Sequence, residues 1–194
     1  MDAYVLLQTE PGLATTVMNA LVESEVVDRA LCITGDADVF ARINDIGWPD
    51  LKDRLLNKLQ RVPGVVRSST HVVVPTGAVA RGPVPLHPVF ARIADEKAIY
   101  ALVFVQVAAG SARDVVRAAR EMKGLLGLAA VTGEYDLILQ VGARSIEQLA
   151  TTVLQQIHTI PGVTSTKTSL ILASTPLRQP RSRARKPVRR RRKR

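Results

Sequence analysis

Two kinds of apolar pattern alternate along this chain. Ala101–Val107 and Leu137–Val141 run with almost no polar interruption, the pattern of strands buried on both faces. Behind Ser111, a candidate N-cap, Val115, Val116, Ala119 and Met122 recur at helical spacing. Leu125–Val131 reads as a strand, Thr132-Gly133-Glu134 as a tight turn and Tyr135–Val141 as the hairpin partner. Ser145 and Gln148 make a capping box, which opens a helix with the stripe Ile146, Leu149, Val153, Leu154 and Ile157. Pro161-Gly162 stops that helix, and Val163–Ala173 is a last strand. The order is β-α-β-β-α-β.

The same order occurs earlier in the chain. Residues 3–74 slide onto 101–172 without a gap, at an offset of 98. Identical pairs include Gln8/Gln106, Gly12/Gly110, Thr34/Thr132, Gly35/Gly133, Asp38/Asp136, Pro63/Pro161 and Gly64/Gly162. The first copy is predicted as strand 3–9, helix near 13–24, hairpin 27–43, helix 50–61 and strand 65–74, with Trp48-Pro49-Asp50 replacing the capping box. Each copy exceeds a solenoid repeat, so the prediction is two tandem ferredoxin-like βαββαβ domains of the α+β class. Domain 1 spans 1–75, a Pro-rich linker 76–98, domain 2 99–174, and an Arg/Lys-rich tail 175–194. In such a unit both helices cover one face of the sheet. The strands here are apolar on both faces, so each copy is expected to cover the other, as a pseudo-dimer made within one chain. A flexible linker of this length spans roughly 25–30 Å, enough for that packing.

Charge adds a second component. The chain carries a net +10, but eleven of its 27 cationic residues lie in Arg178–Arg194, a stretch with no acid. The first 177 residues hold the other sixteen against all seventeen acids, a net of −1, which excludes a broadly basic body. The tail is a like-charge block expected to be disordered, and Arg185, Lys186, Arg189, Arg190, Arg191, Arg192, Lys193 and Arg194 are its candidate nucleic-acid contacts. Without interleaved aromatics they suit phosphate backbone and not base reading. About five such contacts on duplex DNA imply a salt slope near −4.5. The simpler role for the tail is solubility alone.

Candidate chemistry is sparse. Cys32 is the single cysteine, which excludes a disulfide framework and a multi-Cys zinc site. His71, His87 and His158 form no metal-ligand spacing, and no nucleophile elbow, P-loop or dinucleotide fingerprint occurs. No cofactor, metal or catalytic residue is expected, and the protein is read as not an enzyme. No apolar run reaches membrane-spanning length and the start lacks a signal-peptide basic region, so a soluble cytoplasmic protein is expected.

The hairpin Thr132-Gly133-Glu134-Tyr135-Asp136-Leu137, followed by Ile160-Pro161-Gly162-Val163 and the Thr166-x-Thr168 strand, resembles the ligand-binding (RAM) domain of Lrp/AsnC transcription regulators. The resemblance covers about 72 residues of each copy. It implies the dimeric α/β-barrel-type fold, and an amino acid or similar small effector bound between associated domains and coupled to oligomeric state. Such regulators usually carry an N-terminal helix-turn-helix. With a first strand from Ala3 none is expected here, and the chain resembles a stand-alone, duplicated RAM protein, itself expected to form homo-oligomers of pseudo-dimers.

Within the second hairpin, Asp136 offers a charge-assisted acceptor for an effector's ammonium, and the turn amides near Gly133 offer donors for its carboxylate. Tyr135 adds an apolar wall and a hydroxyl, beside Thr132 and Glu134. Thr164, Thr166 and Thr168 share one face of the last strand, and Thr166 and Thr168 complete the candidate set. Thr34, Gly35 and Asp38 are weaker candidates, since Ala37 replaces Tyr135 and Asp36 replaces Glu134 in the first copy. The plainer reading makes Gly133 a turn residue, Asp136 a solvated strand residue and the threonines good strand formers. Two functions follow: a regulator that senses an amino acid and touches nucleic acid with its tail, or a structural adaptor that has lost ligand binding; an enzyme on the ferredoxin-like scaffold, which hosts many functions, is a remote third.

Overall fold

The uninterrupted apolar runs become central strands and the striped segments become helices. The computed structural model describes residues 1–44, 47–74, 90 and 97–175. In chain order these form β1 (Ala3–Thr9), α1 (Ala14–Glu23), β2 (Arg29–Ile33), β3 (Val39–Ile43), α2 (Trp48–Asp53) and β4 (Val65–Val72). Then follow β5 (Ile99–Val107), α3 (Ala112–Arg120), β6 (Leu125–Ala130), β7 (Leu137–Ala143), α4 (Ile146–Thr151) and β8 (Val163–Ser174). The fold is α+β, and all eight strands join one antiparallel sheet in the order β4-β1-β3-β2-β8-β5-β7-β6.

The halves meet at two seams. At one, β2 pairs with β8, placing Leu31 opposite Ser174 and Cys32 opposite Ala173. At the other, just past the end of β4, Val73 bridges Val131 beside β6. The two seams make matching bonds: Thr34 N donates to Leu170 O at 3.0 Å, and Thr132 N, 98 residues on, donates to Val72 O at 2.9 Å. The outer strands of the sheet therefore touch, and the eight strands form a ring.

Strand alternation divides the core. On β5, Ala101, Val103 and Val105 face the cluster under α3 and α4, while Leu102 and Phe104 face inward. The first half has its own cluster under α1 and α2. The inward cluster draws on both halves, with Tyr4, Leu31 and Phe40 from one and Leu102, Phe104 and Ile138 from the other. Phe90 joins it, stacked on Phe40 at 5.2 Å; its N–H donates to Gln140 Oε1 at 2.7 Å and its carbonyl accepts from Arg29 Nη1 at 2.8 Å. Of the predicted linker only this residue and 97–98 are described; of the predicted tail only Thr175 is, buried with its Oγ1 accepting from Ala30 N at 3.0 Å.

Three local expectations change. Ser111 has helical backbone angles and makes no cap bond. Ser145 does cap α4, accepting from Gln148 N at 3.2 Å, but the Gln148 side chain reaches back to Arg144 N and not to Ser145. The stripe also fails in part, since Leu149, Val153 and Ile157 are buried while Ile146 and Leu154 are 52% and 58% exposed. For Leu154 the cause is a change of pitch: α4 continues over Thr152–Ile157 with i→i+5 turns, which depart from the 3.6 period that the stripe assumes. The first copy shows the same device over Arg54–Lys58, and the equivalent residues Trp48 and Leu56 are likewise exposed.

Candidate functional site

Each half builds its hairpin with the same bonds. In the first, Asp38 Oδ2 accepts from Thr9 N at 2.7 Å, and Gln8 Nε2 donates to Asp36 O at 2.8 Å. In the second, Asp136 Oδ2 accepts from Val107 N at 2.8 Å, and Gln106 Nε2 donates to Glu134 O at 2.9 Å. Ile33 N to Asp38 O and Val131 N to Asp136 O close the two turns at 2.9 Å each. Gly35 (φ +108°) and Gly133 (φ +119°) supply the backbone angle that such a turn needs. The repeated Thr-Gly-x-x-Asp signature thus fastens each hairpin to the end of the neighbouring strand.

Between the two hairpins, at that end of the strand ring, lies a cavity of about 340 Å³. The first half lines it with Leu6, Gln8, Ile33, Asp36, Ala37, Arg67, Ser68 and Ser69; the second contributes Phe104, Glu134, Tyr135, Lys167 and Ser169. Both signs of charge are present. Lys167 forms an ion pair with Asp36 across the halves, and that hydrogen bond holds the ammonium above its usual pKa. Burial pushes the Tyr135 phenol up, with Glu134 adding to it, so the hydroxyl stays protonated. Its ring packs against Phe104 at 5.1 Å, giving the cavity an aromatic wall.

The sequence-derived candidates separate on this geometry. Glu134 and Tyr135 line the cavity, whereas Asp136 and Asp38 spend a carboxylate oxygen on the strand amides. Thr34 Oγ1 accepts from Leu170 N at 2.9 Å, and Thr132 and Gly133 sit at the second seam, outside the cavity lining. Thr166 and Thr168 stand opposite Val105 and Val103 in the β5–β8 register, on the helix-covered face. Thr166 is bonded there to His158. Their neighbours Lys167 and Ser169 alternate to the cavity side. Arg185, Lys186 and Arg189–Arg194 lie outside the described residues, as does His87.

Sequence reasoning missed Lys167, Ser69, Arg67, Asp36 and Phe104, which the strands bring to one opening from distant parts of the chain. Apart from Gln8, every lining residue has a different residue at the equivalent position of the other copy: Leu6/Phe104, Asp36/Glu134, Ala37/Tyr135, Ser69/Lys167. Most other aligned positions differ as well, so difference alone does not single out the cavity. No group of three or more His, Cys, Asp or Glu suited to a metal ion occurs among the described residues. No helix among them is long and apolar enough to cross a membrane.

Known proteins supply the comparison. Residues 100–180 match the Lrp/AsnC ligand binding domain. The Lrp/AsnC match covers the second half of the ring and ends beyond β8. Among solved structures, a protein from Thermus thermophilus is 29% identical, covering 40% of this chain and 98% of its own, with a TM-score of 0.39. E. coli AsnC is 21% identical over 47% of this chain and 65% of its own, with a TM-score of 0.41. The siroheme decarboxylase NirDL is 12% identical and covers 90% of this chain and 72% of its own at a TM-score of 0.59, which shows a shared fold alone. No curated protein matches the sequence.

Proposed function

We propose that this chain is a non-enzymatic regulatory protein of the Lrp/AsnC type that binds one zwitterionic effector, an amino acid, in the cavity between its two hairpins. The observation that carries this reading is the mixed lining, with Glu134 for an ammonium, Lys167 for a carboxylate, and Phe104 and Tyr135 for an apolar side chain. The volume of about 340 Å³ falls at the low end of small-molecule sites, which suits so small a ligand. The two copies act as a pseudo-dimer, a reading supported by their matching element order and paired seam bonds. Because the cavity draws on both, one chain binds one effector.

Calorimetry and thermal shift against the twenty amino acids at millimolar concentration test this. At least one should bind, and Glu134→Gln should weaken it about tenfold or more by removing a hydrogen bond to a charge. No heat and no shift from any amino acid sinks the reading. Asp136 is a poor choice of test residue, because Asp136→Ala also releases Val107 N.

The tail provides the second contact, with nucleic-acid phosphate. Deleting residues 178–194 should abolish retention on DNA at low salt, and unchanged retention removes this part of the proposal.

A further inference from the structure

The cavity lies between two copies of one hairpin, and a symmetric cavity gives a zwitterion no preferred direction. Asp36 and Glu134 stand at equivalent positions and do not break the tie. The pair Ser69/Lys167 does, and so does the pair behind it, His71/Ser169.

His71 is fully buried next to the cavity. Its Nδ1 lies 3.2 Å from Thr132 O and its Nε2 lies 3.3 Å from Ser69 Oγ. A carbonyl oxygen only accepts, so Nδ1 carries the hydrogen. In the neutral ring Nε2 is then a lone pair, and the Ser69 hydroxyl must donate to it. With its one hydrogen committed, Ser69 turns only lone pairs toward the cavity it lines. At the equivalent position in the other copy, Lys167 offers only N–H donors.

We propose that His71 is a positioning residue that fixes Ser69 as a hydrogen-bond acceptor, so that an amino-acid ligand seats its ammonium at Ser69 and Glu134 and its carboxylate at Lys167. This rests on the amino-acid reading above. The groups facing the imidazole are Tyr4 on β1, opposite His71 in register, and Glu134 and Tyr135 on the second hairpin. Burial pushes His71 below the usual histidine range, with Thr132 O and Glu134 opposing less strongly, which keeps the ring neutral near pH 7. Once protonated, Nε2–H donates to Ser69 Oγ, and the released hydroxyl hydrogen faces the cavity as a donor against the ammonium.

The test uses the full chain in two measurements. Nitrogen-15 NMR of a His87→Gln, His158→Gln variant leaves His71 as the only histidine signal, and its tautomer at pH 7.5 should be Nδ1–H. Calorimetry then compares the twenty amino acids with the 2-oxo acid of the same skeleton for each binder. Ser69→Ala should weaken the amino acid about tenfold and leave the oxo acid unchanged. Wild-type affinity should fall as acidification protonates His71, which burial delays to below the ordinary histidine range, while the Ser69→Ala profile stays flatter. An Nε2–H tautomer, or Ser69→Ala binding like the wild type, overturns this proposal alone. A panel with no binder overturns the parent reading and this proposal with it.

Discussion

At the scale of single residues, matching positions in the two halves act as internal controls. Gly133 and Gly35 hold the same left-handed backbone, where any side chain adds strain of about 1–3 kcal/mol. Their surroundings differ. A Cβ on Gly133 would sit 2.8 Å from His71 Nδ1, against a buried ring, while one on Gly35 would meet only Ser169 Oγ at 3.2 Å. Gly133→Ala should therefore lower the urea midpoint further than Gly35→Ala; equal losses would show that the imidazole yields freely. His71 also makes stability depend on pH. Its folded pKa is depressed, so the unfolded chain takes up the proton first. The contribution is complete above the unfolded histidine value of about 6.5 and is lost as pH falls below it. Thermal midpoints between pH 7.5 and 5 should fall less steeply in His71→Asn than in the wild type. The signature Thr132-Gly133-x-x-Asp136 was legible in the sequence as something special, but its residues secure a hairpin. The cavity was not legible, because Ser69 opposite Lys167 looks like simple divergence until the strands place both at one opening.

At the scale of elements, apolar runs, helical spacing and the internal match located the strands and helices of the described residues, because burial on two faces leaves an unbroken apolar run and burial on one side of a helix leaves a period. What they missed is local. Ser111 carries a good cap residue in a backbone that does not use it, and Leu154 leaves its stripe because the helix changes pitch. Caps again allow a paired test. The Ser145 hydroxyl caps α4, whereas Gly47 precedes α2 with extended angles and no side-chain bond. Ser145→Ala should cost about 1 kcal/mol. Gly47→Ser should gain a few tenths, since its added Cβ meets nothing closer than 3.8 Å. Opposite signs in equilibrium denaturation are the expected result; a loss at Gly47 would mean that the hydroxyl cannot reach the α2 amides.

At the scale of the whole molecule, the repeat predicted two units but not how their strands join. The β2–β8 register depends on contacts between residues about 140 positions apart, such as Cys32 and Ala173, and no local period records it. That seam and the shared inner cluster make the halves energetically dependent. Separating them would expose Leu31, Phe40, Phe104 and Ile138 together, so neither half should survive the loss of the other's support. Cys32 provides a probe, since it is the single cysteine, is buried in the first half and lies on the seam. Ile138 is fully buried in the second half within the shared cluster, and Ile138→Ala should cost about 2–5 kcal/mol. In one cooperative unit, thiol labelling of Cys32 along a urea series should follow the same midpoint as far-UV circular dichroism, and both should move together in the variant. If Cys32 kept its protection while the dichroism curve split into two steps, the halves would be independent domains, and the cavity between them would have no fixed shape to offer a ligand.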